Sequence, residues 1–294
     1  MRSSRGSEQT LRPVVVRDGL AVYALGSGEP VLLMPYPHAA TVAGDPTLTA
    51  LIEGWEAMGR RVLTFDPPAS GHSGRPMRLD MEEILECAQE VLGVCAGEGP
   101  VDVMGHSQGG FAALAFAIER SEHVRRLLLV GAGAGGPSWM RAPGAIWNRT
   151  HPDYWRFGLL GSLYFLSRRL AAQKLMYNLI FRDSYVDQEL FNPEPVSLLD
   201  WLRRAHPRTR WALVARRLDY RPRLGEIRAP TLLLVGRHDP QMPPTCSEEL
   251  ASGIPDARLV VFEKSGHYPF IEEARAFWTV LGDFLGGQNA DPTS

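Results

Sequence analysis

The chain has 294 residues, 45% hydrophobic and 22% charged, with a net charge of -2 and a mean hydropathy of -0.14. That size suits one domain with a sizeable core, and the near-neutral balance excludes the basic footprint of a nucleic-acid or anionic-membrane binder. No run approaches the ~18 apolar residues of a membrane span, and the three cysteines, Cys87, Cys95 and Cys246, are too scattered for a disulfide framework or a zinc site. The first residues are polar with no apolar run behind them, so no secretory signal is expected. A cytoplasmic monomer or homodimer acting on a small molecule is the default expectation.

Pro13–Val16 and Leu20–Leu25 read as two strands around a turn at Arg17-Asp18-Gly19. After a turn at Gly26–Pro30, Val31–Met34 is a continuous apolar run, the pattern of a strand buried on both faces of a parallel sheet. A helix follows around Thr47–Met58, a strand over Arg61–Phe65, a loop over Asp66–Gly74 and a helix over Met81–Cys95. Val101–Met104 is the next strand. A helix rich in small residues starts at Gln108, and Val124–Val130 is apolar again. Strand and helix alternating in this way predict right-handed crossovers and a doubly wound sheet.

The alternation stops at Gly131. From there to about Arg228 the pattern is helical, near 154–170, 173–181, 197–204 and 209–218. Five of the seven tryptophans lie in this stretch, and between Arg141 and Arg228 sixteen Lys or Arg face eight Asp or Glu. Such a shift inside a regular pattern predicts an inserted helical cap over 131–228, with a core made of 1–130 and 229–286 and a loose tail at 287–294. The sheet resumes with Thr231–Val235, a helix near Thr245–Ser252, a strand Arg258–Phe262 and a closing helix Ile271–Phe284.

The stretch that organises the rest is Gly105-His106-Ser107-Gln108-Gly109, a Gly-x-Ser-x-Gly between a strand and a helix. In such an elbow the serine backbone is strained, and side chains at Gly105 and Gly109 would clash with the closely approaching strand and helix. Downstream, the strand Thr231–Val235 runs straight into Gly236-Arg-His-Asp239, and Arg258–Phe262 runs into Glu263-Lys-Ser-Gly-His267. These stretches, in this order, resemble the nucleophile elbow, acid loop and histidine loop of the α/β-hydrolase superfamily. The resemblance covers about Val31 to Phe284. It is nearest to the proline iminopeptidase-like and small-ester branch, although that group's Gly-Gly-x-Pro-Gly loop is absent.

The resemblance implies a doubly wound, mostly parallel, eight-stranded sheet with an inserted cap, and a catalytic triad of Ser107, Asp239 and His267. Asp239 has a rival reading as the N-cap of the next helix, and Asp256 and Glu263 also lie near strand ends. An oxyanion hole is implied as well, from the N–H of Gln108 and one from the loop after Val31–Met34. There the family usually has His-Gly-x-Pro, whereas this chain has Met34-Pro35-Tyr36-Pro37-His38. Prolines carry no N–H, so Tyr36 is the donor left within Pro35–Pro37, and its side chain is then not the catalytic element. A merely rigid turn fits the prolines too.

His38, Trp139, Tyr154 and Trp155 are candidate substrate contacts. The cap aromatics favour an apolar or aromatic substrate but equally suit a cap core, and His38, His72 and His106 read more readily as packing or loop residues. With no phosphate loop, dinucleotide fingerprint or metal-ligand cluster, no cofactor or metal is expected. The chemistry implied is acyl transfer to water on an ester, amide or related bond. Aminopeptidase, lactonase, thioesterase and carbon–carbon hydrolase activities stay open, as does a non-catalytic receptor. For a peptidase, Glu189, Glu194 and Asp200 are the possible amine ligands.

Overall fold

The computed structural model describes residues 12–36, 46–97, 99–156, 158–159, 182, 184–190 and 214–286. Eight strands form one sheet: β1 Val15–Arg17, β2 Leu20–Leu25, β3 Pro30–Met34, β4 Arg61–Phe65, β5 Val101–His106, β6 Val124–Val130, β7 Thr231–Gly236 and β8 Ala257–Phe262. Their spatial order is β1-β2-β4-β3-β5-β6-β7-β8. β1 pairs with β2, and β2 with β4, antiparallel; every other neighbour is parallel. Arg17 faces Leu20 across a two-residue turn of Asp18 and Gly19, both at positive φ, the geometry that matches the twist of a hairpin.

Among the described residues the α-helices include α1 Pro46–Ala57, α2 Met81–Cys95, α3 Gln108–Glu119, α4 Gly136–Arg141, α5 Pro244–Gly253, α6 Pro269–Glu272 and α7 Ala274–Gly286. α2 starts on Asp80, whose carboxylate accepts from the N–H of Glu83. The sheet is covered on both faces, and the pleat sorts its side chains. Leu32 and Met34 join Ala112, Ala113 and Phe116 of α3 in one core, whereas Val31 and Leu33 join Leu51, Trp55 and Phe277 in the other. Each fully buried Val, Leu, Met or Phe among them contributes about 1.5–3 kcal/mol, which explains why the parallel strands are apolar on both faces.

One element departs from the sequence expectation. The closing helix is two pieces, because Glu273 leaves helical geometry at φ -121 and ψ 44. Its carboxylate is drawn back to the loop before it, accepting from Lys264 N–H and the Ser265 hydroxyl. Of the cap helices expected after β6, 160–181 and 191–213 lie outside the described residues. Among the described residues between β6 and β7 there is no strand, only an isolated bridge between Gly135 and Asp219. No helix among the described residues is long and apolar enough to cross a membrane.

Candidate active site

The parallel strands all end at one edge, and the chain leaving β5, β7 and β8 there carries Ser107, Asp239 and His267. β5 ends at His106 and α3 begins at Gln108, so Ser107 alone makes the turn, at φ 52 and ψ -120. A non-glycine residue in so sparse a region costs about 1–3 kcal/mol and persists only when its surroundings fix it. Here Ser107 N–H donates to Val130 O at 2.9 Å and Ser107 O accepts from Gly110 N–H at 2.9 Å. A Cβ on Gly105 would stand 2.3 Å from the Gly109 carbonyl oxygen, and one on Gly109 would stand 2.6 Å from Met34 O. The same closeness extends to Gly110, whose Cβ would meet that of Ala132 at 2.5 Å. Small residues at these positions therefore let the start of α3 press against both β5 and the loop after β3.

Asp239 and His267 are brought together from the loops after β7 and β8. Asp239 Oδ1 accepts from the N–H groups of Gln241 at 2.8 Å and Met242 at 2.9 Å. Its Oδ2 accepts from His267 Nδ1 at 2.6 Å, and both side chains are almost fully buried. A carboxylate only accepts, so Nδ1 carries the proton and Nε2 is left as the basic nitrogen. The rival reading of Asp239 fails, since α5 starts after Pro243 with no side-chain cap. Glu263 is exposed and pairs with Arg237, and Asp256 is exposed as well.

Gly131, at the end of β6, completes this arrangement and was not singled out by sequence except as a boundary. It has φ +49, and a Cβ there would lie 3.0 Å from Asp239 Oδ2 and 3.1 Å from His267 Nδ1. The residue before it, Val130, accepts the Ser107 N–H. The end of β6 is thus the shared floor of the elbow and the acid–histidine pair.

Gln108 opens α3, where N–H groups have no acceptor within the helix. Tyr36 follows β3 and is 7% exposed, while Pro37 and His38 lie outside the described residues. The Tyr36 phenol is engaged inward, 2.5 Å from His106 Nδ1 and 3.3 Å from Thr47 Oγ1. His106 Nε2 in turn lies 2.9 Å from the carbonyl oxygen of His267. Sequence reading made His106 a packing residue; it is buried among aromatic rings, but both of its nitrogens are bonded. Burial, reinforced by the facing His267, pushes its pKa well below the ordinary 6.5 and keeps it neutral.

Trp139, on α4, packs on Phe111, one turn beyond Ser107, and edge-on against Trp147. Tyr154 and Trp155 form a T-shaped pair, with Trp155 77% exposed. Of the possible amine ligands, Glu189 is exposed, and Glu194 and Asp200 lie outside the described residues. A segment that sequence reading passed over touches both the Asp239 and the His267 loops. Ser184 O accepts from His267 N–H at 2.8 Å, and Ser184 Oγ accepts from the Gln241 amide at 2.8 Å. The Glu272 carboxylate then gathers the N–H groups of Gly266, Val186 and Asp187, and Tyr185 stacks on Tyr268. No group of three or more His, Cys, Asp or Glu among the described residues could hold a metal ion.

Comparison with known proteins gives a consistent picture. The model of the alpha/beta hydrolase family matches residues 29–280. A 2-hydroxy-6-oxononadienedioate/2-hydroxy-6-oxononatrienedioate hydrolase of Cupriavidus pinatubonensis is 30% identical over 94% of this chain and 96% of its own length. A 2-hydroxy-6-oxo-6-phenylhexa-2,4-dienoate hydrolase of Burkholderia cepacia is 30% identical over 88% of each chain. Among solved structures, an esterase from Exiguobacterium antarcticum superposes with a TM-score of 0.69 at 22% identity, covering 90% of this chain and 95% of that one. A meta-cleavage product hydrolase from Pseudomonas fluorescens gives 0.67 at 19% identity, over 92% and 95% of the two chains. At those identities the structural likeness speaks for the fold alone.

Proposed function

The chain belongs to the alpha/beta hydrolase family and is a hydrolase, and on that premise we propose that it cleaves a carbon–carbon bond beside a ketone in a small 2-hydroxy-6-oxo dienoic acid. Ser107 is the nucleophile, His267 the base and Asp239 the orienting acid. The observation that carries the reading is the buried 2.6 Å bond between Asp239 Oδ2 and His267 Nδ1, set against Gly131, whose chain neighbour Val130 accepts the N–H of the strained Ser107. A free hydroxyl is a poor nucleophile at neutral pH, and only a neighbouring base held in the right tautomer makes it useful.

In this mechanism Ser107 Oγ adds to the substrate carbonyl as His267 Nε2 takes its proton. The resulting oxyanion is met by the N–H groups of Gln108 and Tyr36. His267 then returns the proton to the leaving group, and water releases the acyl group by the same steps reversed. Asp239 stays ionised throughout and stabilises the imidazolium.

The substrate class comes from the relatives. A 2-hydroxy-6-oxo dienoate contains neither ester nor amide, so its hydrolysis must break a bond from C6 to carbon. A carbon leaving group needs somewhere to put its electron pair. Moving the 2-hydroxyl proton to C5 makes a 2-oxo acid, conjugated so that the C5–C6 pair can pass into the C2 oxygen. The products are then a carboxylic acid from C6 and a 2-hydroxydienoate. An anionic substrate also suits a cap in which sixteen Lys or Arg face eight Asp or Glu between Arg141 and Arg228. We assign 131–228 to that cap, which sets specificity, with Trp139, packed on Phe111 of α3, as one of its walls.

Ester hydrolysis is the second reading, because the same geometry serves an ester, whose oxygen leaves without an electron sink. A panel of 2-hydroxy-6-oxodienoates, p-nitrophenyl esters, lactones, acyl thioesters and aminoacyl amides separates the two. The oxodienoates should give the highest kcat/KM, and Ser107→Ala should abolish turnover of every substrate. Preference for simple esters by tenfold or more would return the ester reading to first place.

A further inference from the structure

We propose that His106 and the phenol of Tyr36 are positioning residues that tie the oxyanion loop to the catalytic histidine's loop, so that donor and base are held as one unit. The inference rests on the reading above, in which Tyr36 N–H is an oxyanion donor and His267 the base. It assigns a task to two side chains that sequence reading left out of the chemistry.

The hydrogen-bond directions follow from elementary chemistry. The His267 carbonyl oxygen can only accept, so His106 Nε2, 2.9 Å away, carries the proton. His106 Nδ1 is then bare and accepts the Tyr36 hydroxyl at 2.5 Å. Thr47 Oγ1, 3.3 Å from the phenol oxygen, supplies a second polar neighbour without disturbing this order. The relay runs one way, from Tyr36 O–H to His106 Nδ1 and from His106 Nε2–H to His267 O. It requires a neutral imidazole at His106, and burial together with the facing His267 keeps it so.

Each link joins parts of the chain that are far apart in sequence, by 70 residues for Tyr36 and 161 for His267. His106 is the last residue of β5, so the sheet fixes its backbone, and the rings of His267, Tyr268 and Phe270 wall in its imidazole. The His267 backbone is thereby gripped on both sides, its carbonyl by His106 and its N–H by Ser184 O at 2.8 Å. The loop after β3 has proline at Pro35 and lacks the family's usual glycine, and the phenol gives it an anchor in the elbow itself. Without the hydroxyl, a buried imidazole nitrogen loses its donor and the Tyr36 peptide loses its side-chain tether.

The test uses Tyr36→Phe, His106→Gln and the double variant of the full-length enzyme. Glutamine keeps an N–H that reaches toward His267 O but has no acceptor where Nδ1 stood. Each single variant should lower kcat by about 10- to 100-fold, the range for a sub-ångström to one-ångström misplacement of a catalytic group, with KM nearly unchanged. Affinity for a boronic acid that mimics the tetrahedral intermediate should fall by the same factor as kcat/KM, which loosened packing alone would not produce. The double variant should be no worse than the weaker single variant, because both break one link. Tyr36→Phe within about threefold of wild-type kcat, or losses that multiply in the double variant, would overturn the proposal. If His106→Gln does not fold, Tyr36→Phe with the boronic acid decides alone. Turnover surviving in Ser107→Ala would instead sink the serine mechanism. Loss in Ser107→Ala beside full activity in Tyr36→Phe would remove only this inference.

Discussion

Gly131→Ala probes the floor under the acid–histidine pair, and its effect can be worked out in two parts. The first is backbone strain: at φ +49 an L side chain is unfavourable by about 1–2 kcal/mol. In a domain of this size that lowers Tm by about 2–3 °C. The second is crowding. The new methyl would lie 3.0 Å from Asp239 Oδ2, 3.1 Å from His267 Nδ1 and 3.2 Å from His267 Cε1, so the pair must retreat by a few tenths of an ångström. A full ångström of misplacement can cost about 100-fold, so a shift this small should cost roughly tenfold in kcat. Gly59→Ala is the control. Gly59 has φ +69 but open space around its missing Cβ, and it lies at the opposite end of the sheet, before β4. Both variants should lose similar stability by differential scanning calorimetry, and only Gly131→Ala should lose kcat in a saturation assay. Equal kcat in the two variants would refute the claim that Gly131 is glycine for the sake of the pair.

Asp239→Asn should lower kcat by about 10⁴-fold with little change in Tm, because an amide can donate to Nδ1 and so select the wrong tautomer; a loss below tenfold in steady-state kinetics would move the acid role elsewhere. Gly109→Ala should reduce both Tm and kcat, since its methyl would stand 2.6 Å from Met34 O and push the loop after β3 away from α3; unchanged kcat would mean that loop has no part in catalysis. Stability should also fall on acidification below about pH 6.5. His106 has a folded pKa well below 6.5, so under that pH the unfolded chain binds a proton that the folded chain does not. The resulting slope approaches about 1.4 kcal/mol per pH unit for one proton. His267, Tyr36, Tyr268 and Phe270 face the ring, and none of them is a carboxylate that would welcome the charge. The pH dependence of Tm should therefore be shallower in His106→Gln, and identical slopes would count against a buried neutral His106.

What the sequence made legible was whatever is written locally. β4, β6 and α2 fall where apolar runs and helical periodicity place them, and the elbow glycines are adjacent in the chain to the serine they serve. Asp239 and His267 stood out because each lies in the short loop that leaves a strand, β7 or β8. The features that escaped are long-range. Nothing near Gly131 announces that its Cβ would run into residues more than a hundred positions later. His106 looked like packing because its bonds reach Tyr36 and His267, which no periodicity connects to it. The break at Glu273 escaped for a similar reason: a good helix former was recruited by the preceding loop through Lys264 and Ser265.

The contacts of Ser184 bear on how such an enzyme can be rebuilt. The stretch between β6 and β7 would ordinarily be regarded as exchangeable, a module to swap when a new substrate is wanted. In this chain it carries the acceptor for the His267 N–H and a hydroxyl for Gln241, whose own N–H binds the Asp239 carboxylate. A graft that omits Ser184 leaves the histidine loop with one anchor fewer, however well the transplanted walls fit their ligand. Transplants at this position should keep 184–187 and place their junctions outside it, so that Glu272 still finds the N–H groups of Val186 and Asp187.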